Sequence, residues 1–278
     1  MKALKLFTLL MLSSCWILKA EDTKQIVQQA VNTELAADRD DHSHWIFYEV
    51  DRKPNNSVVQ WVAQTGKGDV VRVLIRNGRP IPVPQQRQSI EQFIHDSNAQ
   101  AKQRRGSQHD DQEAAAMLKL LPVAFVWTVT NRNDQTTTLS FKPDPKFRPP
   151  NREARVFAAM EGEMTVGNAH HRIQELKGTL IHDVNFGFGL LGKLDQGGSF
   201  SVKRTEIGPG IWDITATHIH IHGHALIFKS ISEEEDDEKS SFNCEPDDVS
   251  LEQAASAVLQ SQGEGSQQSS NTAIPHQR

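Results

Sequence analysis

The chain has 278 residues, 23% of them charged, and a formal net charge of −5. A chain of this length can bury a substantial core, and all-β chains of this size commonly form one domain. The weak negative charge excludes a broad basic surface, and with it nucleic acid as a partner.

The first twenty residues are typical of a secretory signal peptide. Two lysines precede an apolar run over residues 6–18, which is too short for a stable membrane span. Two processing reactions fit the sequence: cleavage after Ala20, or lipidation of Cys15 in the pattern Leu-Ser-Ser-Cys. Both predict export, to the periplasm in the first case and to a membrane-anchored state in the second.

After residue 20, apolar spacing predicts an amphipathic helix over residues 24–37. Three strands of alternating polarity follow, over residues 45–51, 58–65 and 70–76. The dipeptide Asn77-Gly78 is typical of a two-residue hairpin turn after the third strand.

A helical insertion is predicted over residues 86–121. Ser89 and Gln92 form a capping-box pattern that indicates the start of a helix. The glycine and the polar residues of segment 106–111 predict an interruption, after which residues 112–121 resume helical spacing.

The second half of the chain is predicted to be an antiparallel sheet, because its segments alternate in polarity and are separated by glycine and proline turns. Its strands are expected over residues 123–130, 136–142, 156–166, 176–188, 200–207, 212–222 and 225–231. The acidic run 233–238 predicts a solvated loop, and Ser250 predicts a capped helix. Residues 261–278 have the composition of a disordered tail.

The segment Gly187–Gly192 reads GxGxxG, the pattern of dinucleotide-binding loops. Such a loop needs a helix directly after the glycines, and here another strand follows. We therefore interpret the segment as a glycine-rich bend and expect no cofactor.

Three histidines, His218, His220 and His222, alternate along one predicted strand and share a face. Two imidazoles at this spacing can hold one metal ion, but a third ligand must come from a neighbouring strand. A metal-binding protein or metal-dependent hydrolase is therefore the alternative to a solvated histidine stripe. The parity of Trp212 and Ile219 requires either a bulge near residue 217 or a strand that crosses between buried faces.

No nucleophile elbow, zincin helix, P-loop or paired-carboxylate pattern is present in the sequence, so no catalytic residues are predicted. Several segments between residues 141 and 259 resemble an exported bacterial family of unassigned activity that is commonly likened to the periplasmic lipoprotein-carrier and lipoprotein-sorting (LolA-like) fold. These segments are Phe141-Lys142-Pro143, Pro149-Pro150-Asn151-Arg152, Met160-Glu161-Gly162, the run from Phe186 to Gly192, Gly197-Gly198-Ser199-Phe200 and Gly208-Pro209-Gly210-Ile211-Trp212.

The resemblance implies an α+β fold, in which a strongly curved antiparallel half-barrel of about eleven strands has amphipathic helices over its concave face. It implies a single domain over residues 21–260 and a monomeric, non-catalytic carrier. The implied partner is a lipid or an acylated lipoprotein, with possible association with the outer membrane.

An apolar cavity would need a wall from the sheet and a lid from the helices. Each candidate side chain fits an ordinary hydrophobic core equally well. The predicted wall residues are Trp127, Met160, Met164, Leu180, Val184, Phe186 and Phe188, and the predicted lid residues are Phe93 and Ile94.

Overall fold

The computed structural model describes residues 14–186, 192–225 and 229–262. Most of the predicted signal peptide, residues 187–191 of the predicted glycine-rich bend and nearly all of the predicted tail lie outside these ranges. Among the described residues, no helix is both long enough and apolar enough to cross a membrane.

The fold is α+β with a large antiparallel sheet, as predicted. The described helices are α1 (Ser14–Asp40), α2 (Val83–His95), α3 (Ser97–Ala124) and α4 (Leu251–Gln260), with a 3-10 helix at Glu153–Ala159. The strands are β1 (His44–Arg52), β2 (Val58–Ala63), β3 (Val70–Arg76), β4 (Arg79–Pro80), β5 (Phe125–Arg132), β6 (Thr136–Pro143), β7 (Met160–Gly167), β8 (Ile173–Leu180), β9 (Val184–Phe186), β10 (Gly192–Leu194), β11 (Ser199–Gly208), β12 (Ile211–Ala225) and β13 (Lys229–Glu245).

The chain divides into two compact units. The first contains the residues up to 41 and residues 108–237, and the second contains residues 42–107 and those from 238 onwards. The chain passes between the units three times, after Asp41, inside α3 and inside β13. The single domain over residues 21–260 remains a prediction.

In the first unit, the strands are hydrogen-bonded in the order β5-β6-β7-β8-β11-β12-β13. The short strands β9 and β10 pair with each other, and β10 also pairs with β12. Helix α1 packs on β5 and β8. Apolar residues at every second position of β5 to β8 point towards this helix, and together they form the core of the unit.

In the second unit, β4, β3, β2 and β1 are neighbours in that order, and the end of β13 lies next to β1. Helices α2 and α4 pack on β3 and on each other. Together they form a second buried cluster. The sheet contributes Ile46, Trp61 and Val70, and the helices contribute Ile90, Ala254 and Val258.

Two local predictions are confirmed. Asn77 and Gly78 have φ values of 49° and 73°, the left-handed conformation that a tight hairpin turn requires. Ser250 begins α4 with a complete capping box, in which its hydroxyl accepts from the backbone of Gln253 and the Gln253 side chain accepts from the Ser250 backbone.

The predicted helix boundaries in the insertion are wrong. Helix α3 continues through Gly106, because one glycine costs only about 1 kcal/mol and a helix of this length tolerates that loss. The break falls at Asp96, whose carboxylate accepts from the backbone N–H groups of Asn98 and Ala99. Ser89 is no cap, since α2 begins at Val83 and the Ser89 hydroxyl donates to a carbonyl one turn earlier.

The long strand predicted over residues 176–188 is also interrupted, and residues 156–159 form a 3-10 turn instead of a strand. Beyond Leu180 the chain bends. There the Asp183 carboxylate accepts a hydrogen bond from the backbone N–H of Gln196 and forms an ion pair with Lys193. These polar contacts take the place of the strand-to-strand hydrogen bonds that the alternating pattern predicted here.

Candidate functional site

Five of the seven predicted wall residues lie in the core of the first unit: Trp127, Met160, Met164, Leu180 and Val184. None of their side chains is more than 8% exposed. Met160 pairs directly with Leu180 across β7 and β8. The sequence-predicted side chains therefore form a continuous apolar face on one side of the sheet.

Two aromatic residues extend this face along β5 and β6. Trp127 pairs with Phe141, and their rings lie 5.1 Å apart between centroids. The Trp127 indole N–H donates to the carbonyl of Leu121 at 3.0 Å, so its one polar group is satisfied in the interior.

Helix α1 covers the face. Val27, Ala30 and Val31 are fully buried and belong to the same cluster as the wall residues, while Ile26 and Leu35 are half-buried against it. Helix α1 therefore covers this part of the apolar face with only a few large side chains.

A buried acid on α1 was not predicted from the sequence. Glu34 is 2% exposed, and its carboxylate accepts two hydrogen bonds from Arg172, at 3.0 and 2.9 Å. It also accepts from the backbone N–H of Ile173 at 2.7 Å and lies 3.3 Å from Arg204. The Arg172 guanidinium lies 5.9 Å from the ring centroid of Trp212, within cation–π range.

The spacing of α1 contains a signal for this acid. Glu34 stands three residues after Val31 and seven after Val27, so it occupies the apolar stripe of the helix. A charge at such a position needs an internal partner, because an unpaired buried carboxylate is strongly disfavoured.

The predicted lid residues belong to the second unit. Phe93 and Ile94 are half-buried and pack against that unit's own cluster. Ile94 also lines a groove of about 690 Å³ between α2 and α4, where Ile90, Ala255 and Leu259 supply the other apolar surface. Phe186 ends β9 and its side chain is not described, while Phe188 lies outside the described residues.

The pairing register of β12 with β11 shows on which face of the sheet each residue of the histidine strand lies. Ala216 pairs with Lys203 and Ile214 pairs with Arg204, so the register shifts by one residue at Thr215. This bulge places Ile214 and Ala216 on opposite faces of the sheet. Of the two alternatives left open by the sequence, the bulge is confirmed.

The acidic run predicted as a loop is part of β13, and that prediction is wrong. Its alternate residues Glu234 and Asp236 lie beside the histidines of β12. The Asp236 carboxylate lies 2.8 Å from His218 Nδ1 and 3.8 Å from His220 Nε2. The Glu234 carboxylate lies 3.7 Å from His222 Nε2. Cross-strand contacts between these carboxylates and the imidazoles of β12 accompany the extension of the sheet through the acidic run.

A titratable carboxyl is enclosed in the second unit at the start of β3. The pKa of Asp69 is raised to about 6, chiefly by burial and also by Glu49, while Lys239 and His44 act in the opposite direction. The Asp69 backbone is held by the Gln103 amide, which accepts from its N–H and donates to its carbonyl.

Asp69 is expected to make the protein less stable as the pH rises. The folded state holds the Asp69 proton to a higher pH than the unfolded chain does. The stabilisation that this gives is fully present below about pH 4 and is lost as the pH rises through about 6. In urea unfolding, Asp69→Asn should be more stable than the parent at pH 7.5 by about 2 kcal/mol, with a much smaller difference at pH 4. Asp110→Asn, at an exposed site on α3, is the control, and equal pH profiles for parent and Asp69→Asn would contradict the expectation.

No protein-family model and no curated protein sequence matches the chain.

Proposed function

We propose that this is an exported, non-catalytic protein of the cell envelope that binds the acyl chain of a lipid or lipidated partner between α1 and the apolar face of the first unit. In this proposal the sheet is a strongly curved half-barrel, the helices lie on its concave side, and the partner is an acylated lipoprotein or a lipid of the outer membrane.

The observation that carries the proposal is the continuous face formed by Trp127, Met160, Met164 and Leu180, in the core cluster to which α1 contributes. Two of these four residues are methionines, whose unbranched side chains adapt to ligands of different shape. Helix α1 packs on β5 and β8, while Leu121 and Ala124 at the end of α3 belong to the same cluster, so displacing α1 exposes part of the face.

The free-energy cost of lifting α1 from the apolar face can be compared with the gain from burying an acyl chain there. Lifting α1 exposes Val27, Val31 and a few half-buried side chains, at about 1.5–3 kcal/mol for each large one, and it separates Glu34 from Arg172, at about 3–5 kcal/mol. An acyl chain with roughly a dozen methylenes gains about 0.8 kcal/mol for each, or on the order of 10 kcal/mol. The two quantities are comparable, so an acyl chain can offset the displacement of the helix.

Quenching by a spin-labelled fatty acid tests where a chain binds. Titration of the protein with 12-doxyl-stearate is expected to quench tryptophan emission, and Trp127→Phe should remove at least half of that quenching. The variant keeps an aromatic ring beside Phe125 and Phe141, so the core stays packed.

Trp61→Phe is the matched control, since Trp61 is 6% exposed in the core of the second unit. It should retain the quenching of the parent protein. If Trp61→Phe loses the signal instead, or if both variants lose equal shares, the ligand does not lie on the proposed face.

A further inference from the structure

The outer face of β12 and β13 carries histidines and carboxylates in register. His218, His220 and His222 are 41%, 53% and 60% exposed in their side chains, and Asp236 and Glu234 are 39% and 45% exposed. All five groups reach solvent, so a dissolved ion can reach them.

The pairing of the two strands places one carboxylate beside two imidazoles. His218 Nδ1 is 2.8 Å and His220 Nε2 is 3.8 Å from the same Asp236 oxygen. Glu234 lies beside the third histidine, 3.7 Å from His222.

These spacings fit a tetrahedral metal ion. Zinc binds imidazole nitrogen and carboxylate oxygen at about 2.0–2.2 Å, which puts neighbouring ligand atoms roughly 3.3 Å apart. The distances of 2.8 and 3.8 Å to Asp236 lie on either side of that value. His218 and His220 also line a shallow trough of about 350 Å³ together with Lys177 and Glu163, so solvent reaches both imidazoles.

The geometry points to a binding site for a first-row divalent cation such as Zn²⁺, formed by His218, His220 and Asp236. As the structure stands, no three His, Cys, Asp or Glu side chains among the described residues are grouped so that they could hold a metal ion, so binding requires a rearrangement. The ion replaces the proton between His218 and Asp236, and the exposed ring of His220 turns by a small angle to reach it. Three protein ligands leave one position for water.

Substitution of single histidines tests the ligand set. In calorimetric titration with ZnCl₂ at pH 7.5, the parent protein should bind one equivalent, and His218→Ala and His220→Ala should each weaken binding at least tenfold. His222→Ala should weaken it by no more than about threefold, because His222 lies beside Glu234 and outside the set.

His109→Ala is the matched control, because His109 forms an exposed pair with Glu113 at 3.3 Å on a helix and has no second imidazole two residues away. This variant should bind zinc like the parent, and unchanged melting temperatures should show that all variants fold. The inference is overturned if the parent binds no stoichiometric zinc, if the three strand variants lose equal affinity, or if His109→Ala loses as much as His220→Ala. None of these outcomes bears on the acyl-chain proposal.

Discussion

Replacing Glu34 by alanine is expected to lower the free energy of unfolding by about 3–5 kcal/mol. The substitution leaves Arg172, only 7% exposed in its side chain, without its counter-charge, and it leaves the backbone N–H of Ile173 without its acceptor. Arg204 also loses the carboxylate at 3.3 Å. Urea unfolding followed by circular dichroism measures the loss.

A surface ion pair supplies the control for Glu34. Glu163 lies 3.0 Å from Lys177, but both side chains are more than 40% exposed, so Glu163→Ala should cost less than about 1 kcal/mol. The double variant Glu34→Met with Arg172→Met should recover part of the stability, since it leaves neither of the two charges unpaired. A loss below about 1 kcal/mol for Glu34→Ala would show that this network does not hold α1 on the sheet.

Replacing Leu180 by alanine is expected to cost about 2–5 kcal/mol. Leu180 is 1% exposed and contacts the first unit's core, so the substitution removes apolar burial and leaves a cavity beside Met160. The same unfolding experiment measures this loss.

Val126→Ala is the matched control for Leu180, because Val126 is an apolar strand residue that is 53% exposed. It should change stability by no more than about 0.5 kcal/mol. Equal effects for the two variants would contradict the assignment of Leu180 to the buried face.

The features that were predicted correctly depend on neighbouring residues in the chain. The turn at Asn77-Gly78 and the capping box at Ser250 are fixed by a few adjacent side chains and their own backbone. The parity of Met160 and Met164 likewise assigns both to one face without knowledge of any partner strand.

The features that were missed depend on partners distant in sequence. The run from Glu233 to Glu238 has the composition of a loop, and only the pairing with β12 explains why it forms a strand. Glu34 acquires its role from Arg172, 138 residues away, a contact that spacing along α1 signals but does not identify. Local patterns therefore predicted the apolar face, whereas the charged contacts around it required the tertiary structure.

The most direct test of acyl-chain binding is mass spectrometry of a solvent extract from the intact protein. The full chain would be produced with its N-terminal segment in a bacterial host and purified without detergent, and a Trp127→Phe preparation would be extracted in parallel. We expect an acyl-containing amphiphile in near-stoichiometric amount from the parent and a reduced amount from the variant. An extract of the parent protein that contains no amphiphile would contradict the proposed function.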